Sequence, residues 1–381
     1  MQIPFNKIYY TGQEENYLQD ALQRKHLKGD GYYTEQVSTI LTNKLEIEKV
    51  LMTTSGTHAL EMAAILMGIE PGDEIIMPSF TFPSTANAVM RRGGKPVFAE
   101  IKSDTLNIDP LDIEKKITTR TKAIIVVHYA GIGCEMNKIM EIADIHDLVV
   151  IEDAAQAVNA KYKNEYLGTW GDIGCYSFHE SKNYVSGEGG ALAINTDEER
   201  IYKRAEIIRE KGTNRANFIR GEIDKYTWVD EGSSYIPSEL LMAVLYAQLK
   251  QLDLITSKRK LIFNYYYNHL HKYLNSNFLC QISTIPCGCQ SNYHIFYLVF
   301  RDNKIRDKIL TGLQERGISA TFHYIPLHLS SMGKKLGYEE GDLPLTEKSS
   351  SSLLRLPLYT GMQEKERAYV IKNITEIFEG L

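Results

Sequence analysis

Lys182 is the residue with the most chemistry in its surroundings. It sits in Ser177-Phe178-His179-Glu180-Ser181-Lys182-Asn183, just after an apolar run, and Gly187-Glu188-Gly189-Gly190 follows. A lysine that turns inward from a buried strand loses water, which lowers its pKa enough for the neutral amine to form an imine. Taken alone, such a lysine reads more simply as a solvated surface residue. Asp153 closes another apolar run, in Glu152-Asp153-Ala154-Ala155-Gln156. A carboxylate at the end of a buried strand is costly unless a cation meets it. A protonated pyridine nitrogen would serve, and so would a structural arginine. Thr54-Ser55-Gly56-Thr57 opens a helical stretch, where free N–H groups and the positive end of the helix dipole suit a phosphate. A plain Ser/Thr cap is the simpler explanation of that segment by itself. Pro78-Ser79-Phe80-Thr81-Phe82 sets aromatic rings after a further run, as core packing also could. Together the segments supply a phosphate cradle, a stacking aromatic, an acid and an imine-forming lysine.

These residues converge only if the chain builds one sheet. Seven short apolar runs predict strands over Val50–Thr54, Glu74–Pro78, Pro96–Ala99, Ala123–His128, Leu148–Asp153, Gly174–Phe178 and Gly190–Ile194. Helical spacing lies between several of them, as in Thr57–Met67, Ser84–Arg92 and Glu135–His146. Near-continuous apolar strands alternating with amphipathic helices predict an α/β domain around a mostly parallel sheet covered on both faces. Such sheets place ligands at the C-terminal ends of their strands, where the chemistry-bearing residues stand. A helix is expected over Asp197–Arg209, an ordered surface loop over Lys211–Tyr235, and one long helix over Pro237–Leu274 with Tyr265–Tyr267 on its surface. A small α+β module follows, with strands over Tyr293–Phe300 and into Phe322, a helix over Lys304–Arg316, and a terminal helix from Glu364.

Composition narrows the classes. The chain has 381 residues, 43% hydrophobic and 24% charged, which are ordinary globular values. Its net charge of −5 gives no electrostatic footprint for nucleic acid. Five scattered cysteines, Cys134, Cys175, Cys280, Cys287 and Cys289, predict reduced thiols and no metal site. Met1-Gln2-Ile3-Pro4-Phe5-Asn6-Lys7 shows no apolar run behind a basic start, and no uncharged stretch is long and apolar enough to span a bilayer, so a cytoplasmic protein is expected.

The order Ser-Gly-Thr, Thr-Phe, Glu-Asp-Ala-Ala-Gln, Ser-Phe-His-x-x-Lys-Asn resembles the DegT/DnrJ/EryC1/StrS family of sugar aminotransferases dependent on pyridoxal 5′-phosphate (PLP). The likeness runs through nearly the whole chain. It extends to the subgroup of dTDP-4-amino-4,6-dideoxygalactose transaminases in Gly29-Asp30-Gly31, Met77–Asn87, His128-Tyr129-Ala130-Gly131, Glu210–Arg215, Asp224–Trp228 and Phe322–His328. The resemblance implies that Lys182 carries PLP as a Schiff base and shuttles the proton, while Asp153 pairs with the pyridine nitrogen. It further implies that Gln156 approaches the ring's phenolic oxygen and that Phe82 stacks on the ring, where many relatives have another aromatic. Ser55, Gly56, Thr57 and Ser177 would hold the phosphate. Relatives commonly carry Gly-x-Asn-Tyr in the loop that reaches the neighbouring subunit's phosphate; here Gly232-Ser233-Ser234-Tyr235 leaves Ser234 to make that contact.

The expectation is therefore a fold-type-I PLP aminotransferase, an α/β protein with a large domain over 1–245 and a small α+β domain over 246–381. It would act as a homodimer with shared sites. It would move an amino group from glutamate to a dTDP-keto-deoxysugar, the dTDP-4-keto-6-deoxyglucose of surface-polysaccharide synthesis. Arg215, His323, Tyr324 and His328 are candidate substrate contacts, and Arg215, Arg220 and Lys225 candidate cations for the diphosphate. A 3-keto sugar nucleotide is the alternative acceptor. A PLP-dependent sugar dehydratase would carry His where Lys182 stands. A nicotinamide dehydrogenase would need Gly-x-Gly-x-x-Gly after an early strand, a pattern this chain lacks. A catalytically silent regulatory protein would not need both Lys182 and Asp153.

Overall fold

All seven apolar runs form strands of one sheet in the computed structural model, which describes residues 1–196 and 198–381. They are β1 (Lys49–Thr53), β2 (Glu74–Pro78), β3 (Lys95–Ala99), β4 (Thr121–Val127) and β5 (Val149–Asp153), then, after the two-residue strands β6 (Lys161–Tyr162) and β7 (Glu165–Tyr166), β8 (Ile173–Ser177) and β9 (Gly190–Ile194). The spatial order is β1-β9-β8-β5-β4-β2-β3. The pairs β2–β3, β2–β4, β4–β5 and β5–β8 are parallel, and β9 runs against both its neighbours. Every residue of β2, β8 and β9 is buried, as strands covered on both faces must be. Successive side chains go to opposite faces. Met77, Ile125 and Ile151 pack with the helix Gly56–Leu66, while Ile76, Ile124 and Val150 pack with the helix Met136–His146. This sheet brings the ends of β1, β4, β5 and β8 to one edge, with Val127 opposite Asp153 and Asp153 opposite Cys175.

A second core forms on an antiparallel sheet of β10 (Leu279–Ile282), β12 (Phe296–Phe300) and β13 (Leu353–Leu356), in the order β10-β12-β13; the short β11 (Cys289–Gln290) joins β6 and β7 instead. Phe296, Leu298 and Leu354 pack there with Leu313, Ile374 and Phe378 from the helices Asn303–Glu315 and Glu364–Glu379. Ile3 joins this C-terminal core, pinned by its N–H donating to Gly317 O at 2.8 Å.

Four local expectations are corrected. The long helix is two, Glu239–Leu249 and Leu252–Leu270, because Gln251 takes φ −113° and ψ 22° and interrupts the ladder without any proline or glycine. Tyr266 is fully buried in the second core, so the tyrosine run is not a surface feature. The strand expected from Tyr293 begins at Phe296, since Tyr293 adopts φ +57°. No strand runs into Phe322; Thr321 makes only an isolated bridge to Arg355, and β13 completes the small sheet. The helix expected over 197–209 is Glu199–Arg209, with Asp197 outside the described residues.

Candidate active site

A cavity of about 390 Å³ opens at the C-terminal edge of the large sheet. Ser55, Gly56, Thr57, Phe82, Asp153, Gln156, Ser177, Lys182, His323 and Tyr324 all line it, so most of the residues singled out by type and spacing meet in one place.

The cradle begins where β1 hands over to the helix Gly56–Leu66. Ser55 caps that helix, its Oγ accepting the His58 N–H at 3.1 Å. The N–H groups of Gly56 and Thr57 lie in the first turn, where the helix's own ladder leaves them free for an anion. Gly56 has no room for a side chain: a Cβ would stand 2.9 Å from Ser177 Cβ and 3.2 Å from Tyr176 O. That close approach keeps the helix end against the end of β8. Thr57 Oγ1 meets Ser84 Oγ at 2.7 Å.

Asp153 is buried, with Oδ2 accepting from Thr85 Oγ1 at 2.8 Å and Oδ1 from the Ala155 N–H at 3.2 Å. Burial raises its pKa in spite of these bonds and of the pull from Lys182 and His128. The carboxyl is short of a cation, the deficit that a protonated pyridine nitrogen would fill. Lys182 is half-buried in the turn after β8. Burial lowers its pKa to about 8, Asp153 works in the opposite direction and Arg355 adds to the lowering. A phosphate cradle, a desolvated carboxyl and an amine with a depressed pKa in one cavity fit PLP. When bound, PLP supplies an aldehyde for the amine and a ring that takes up electron density.

Behind Asp153, Glu152 and His128 form a buried pair, Nε2 to Oε2 at 2.7 Å. Nδ1 of His128 accepts the Cys134 N–H, so Nε2 carries the proton given to Glu152. The carboxylate also takes N–H groups from Gly168, Trp170 and Gly171, which fixes the end of β5. Gln156 uses its Oε1 to accept from Ala130 N–H at 2.8 Å and its Nε2 to donate to Tyr324 OH at 3.1 Å. Tyr324 lies beside Phe82, ring centroids 6.2 Å apart, and burial raises its pKa to about 12. His323 bonds through Nδ1 to Tyr129 OH, and burial with the charges of Arg355 and Lys182 holds it well below the usual histidine range.

Five expected site residues lie elsewhere. His328 is fully buried and bonded to Ser79 Oγ at 2.7 Å and Glu347 at 3.0 Å; it braces the fold and does not face the cavity. Arg215 pairs with Glu210 at 3.6 Å, and Arg220 with Glu206 and Glu222 at 2.9 and 2.7 Å, so both have partners away from the cavity, which Lys225 does not line either. Ser234 is exposed and outside this chain's own cavity. The Gly29-Asp30-Gly31 segment has a structural use. A Cβ on Gly29 would stand 2.2 Å from Pro237 O, Asp30 pairs with Arg209 at 2.6 Å, and Glu239 accepts the Gly31, Tyr33 and Thr34 N–H groups.

Other lining residues escaped the sequence reading: Phe5 and Asn6 from the N-terminus, and Arg259, His294 and Arg355 from the C-terminal part. His294 Nδ1 donates to Asn183 Oδ1 at 2.9 Å, and burial keeps it well below the usual range. No group of side chains able to hold a metal ion occurs among the described residues, and among them no helix is long and apolar enough to cross a membrane.

Comparison with known proteins places the same features in a family. Residues 9–375 match the profile of the DegT/DnrJ/EryC1/StrS aminotransferase family. The chain is similar to a pleiotropic regulatory protein of Geobacillus stearothermophilus, 35% identical over 328 residues, 85% of this chain and 83% of that one. It is similar to the GDP-perosamine synthase of Escherichia coli O157:H7, 29% identical over 377 residues, 99% of this chain and 98% of that one. Spr1654 of Streptococcus pneumoniae, solved in its PLP form, superposes with a TM-score of 0.91 at 25% identity, covering 100% of this chain and 99% of that one.

Proposed function

The chain belongs to the DegT/DnrJ/EryC1/StrS aminotransferase family and is a PLP-dependent enzyme; from that premise we propose that it aminates a nucleotide-linked 4-keto-6-deoxysugar with glutamate as donor. The observation that carries the reading is the meeting of Lys182 and Asp153 in one cavity beneath the Gly56–Leu66 helix terminus. Lys182, with its pKa of about 8, serves as the base that takes the proton from the carbon bearing the amine and as the acid that returns it at the cofactor's exocyclic carbon. Asp153 keeps the ring nitrogen protonated, and Ser55, Gly56, Thr57 and Ser177 hold the phosphate. Phe82 covers the ring. His323 and Tyr324, which line the same cavity, meet the sugar in this reading. Ser234 reaches the phosphate of a second copy in a homodimer.

The finer reading is conversion of dTDP-4-keto-6-deoxyglucose to dTDP-4-amino-4,6-dideoxygalactose, supported by the residues shared with that subgroup, among them Met77–Asn87 and Phe322–His328. The GDP-perosamine synthase relative makes GDP-linked keto sugars the acceptors to set beside it. The test is an assay of the pure protein with glutamate and a panel of dTDP- and GDP-linked 4-keto and 3-keto sugars, with product stereochemistry read from proton couplings. An axial 4-amine on a dTDP sugar is expected. Turnover only with a 3-keto or a GDP-linked sugar would overturn the substrate while leaving amino transfer standing. A regulatory role without catalysis, which the name of the Geobacillus relative raises, predicts no absorption from a lysine-bound cofactor.

A further inference from the structure

Two arginines line the cavity, and their circumstances differ. Arg259 is fully engaged with backbone: its Nε donates to Tyr293 O at 3.0 Å and its Nη2 to His294 O at 2.8 Å and Leu358 O at 3.2 Å. Three carbonyls hold it as a strut. Arg355 has the opposite arrangement. Its backbone is fixed in β13, donating to Thr321 O at 2.7 Å and accepting from Thr321 N–H at 3.1 Å, and it lies opposite Tyr297 of β12. Its side chain makes no ion pair and no hydrogen bond among the described residues, and Nε is buried without an acceptor. The guanidinium lies over the Phe5 ring, 4.7 Å from its centroid.

Arg355 is half-buried, and a partly desolvated cation whose buried Nε has no partner carries a cost that a ligand anion would remove. The cofactor's phosphate already has the cradle at Ser55, Gly56 and Thr57. The position of Arg355 decides between the remaining anions. It lines the same cavity as Lys182 and Asp153, and its charge contributes to lowering the Lys182 amine, so the guanidinium borders the space in which the donor's amine must react. The carboxylate of an α-amino acid is attached to the very carbon that carries the amine. The diphosphate of a sugar nucleotide is separated from the keto carbon by the sugar ring and belongs nearer the mouth.

We propose that Arg355 binds the α-carboxylate of the amino donor, its planar fork taking both oxygens and holding the amine-bearing carbon beside Lys182. The proposal rests on the aminotransferase reading above. It makes Arg355 the residue that restricts donors to α-amino acids, while the sugar is recognised through other groups.

The test uses the holoenzyme and separates the two claims. Glutarate, a dicarboxylate with no amine to react, is titrated calorimetrically into wild type, Arg355→Gln and Arg355→Lys. Glutarate affinity should fall about 100-fold or more in Arg355→Gln, the scale of removing one member of a buried charge pair, and less in Arg355→Lys, which keeps the charge and loses the fork. In stopped-flow half-reactions the half-saturating glutamate concentration should rise by a similar factor, and that of the keto sugar by far less. Equal glutarate affinity in wild type and Arg355→Gln, or equal shifts for glutamate and sugar, overturns the proposal. A wild type that accepts no amino group from any amino acid overturns the aminotransferase reading instead, and the glutarate titration still decides the role of Arg355. Should Arg355→Gln fail to fold, a glutarate affinity in Arg355→Lys equal to that of wild type overturns the proposal as well.

Discussion

Lys182 and Asp153 act on each other's protonation within a site that desolvates both. Burial is the largest influence on each, lowering the amine to about 8 and raising the carboxyl, and each partly restores the other's charge. The signs give a test. Imine formation by the cofactor-free protein needs the neutral amine, so its rate with added PLP should rise with pH and level off above about 8. Arg355 is a cation that lowers the amine, so Arg355→Gln should move the inflection upward. Asp153 is an anion that raises it, so Asp153→Asn should move it downward. Shifts of the opposite sign would sink the assignment of Lys182 as the titrating amine. Borohydride reduction followed by peptide mass spectrometry should find the trapped cofactor on Lys182 and on no other lysine. In turnover, Asp153→Asn should lose about 100- to 1000-fold in kcat, the scale of removing one preorganised electrostatic group. A loss below tenfold, about 1.4 kcal/mol, is too small for a residue that holds the ring nitrogen protonated.

At the scale of elements, the contact between the Gly56–Leu66 helix and the end of β8 sets the phosphate cradle. Gly56→Ala should force the helix end away from Ser177 Cβ and Tyr176 O. Overpacking of this kind costs about 1–3 kcal/mol, readable by denaturant titration. PLP affinity, followed by absorption, should fall at least about tenfold as the free N–H groups shift. A destabilised variant with unchanged PLP affinity would show that the phosphate sits elsewhere. The same element logic explains what could be read in advance. Strands such as β2, β8 and β9, buried on both faces, read as apolar runs, and a parallel sheet puts whatever follows them at one edge. Ser55, Phe82, Asp153 and Lys182 were legible for that reason. Arg355 was not: within Leu353-Leu354-Arg355-Leu356 it reads as the polar residue of an ordinary strand, and only the packing of β13 beside the large sheet turns it into the cavity. Phe5, Asn6 and Arg259 arrive by the same long-range closure. His328 failed in the opposite way, since a buried, satisfied histidine and a ligand-binding one have the same sequence. The interruption at Gln251 left no mark because helical periodicity continues through it.

At the scale of the whole molecule, the question is how many chains make one site. The segment after the helix Glu199–Arg209 leaves Phe218, Ile219, Tyr226, Trp228 and Val229 exposed, Trp228 at 77%. A cluster of exposed apolar side chains on one segment is more surface than an isolated chain usually leaves to water, and a second copy is the cover that the homodimer proposal supplies. The Gly232–Tyr235 loop is anchored at its end, with Tyr235 buried and its carbonyl accepting Thr54 N–H at 2.9 Å, while Ser234 stays exposed. If Ser234 serves the partner's phosphate, Lys182→Ala chains and Ser234→Trp chains should each be inactive alone and complement each other when mixed. In an isologous dimer each hybrid pairs the intact Lys182 of one chain with the intact Ser234 of the other at one site and both defects at the second. With equal amounts and free exchange, half the dimers are hybrids, so about a quarter of wild-type activity should return. Native mass spectrometry would report the hybrid fraction directly. Hybrids formed without recovered activity would mean that each site draws all its residues from one chain. A Ser234→Trp homodimer as active as wild type would remove Ser234 from the phosphate site.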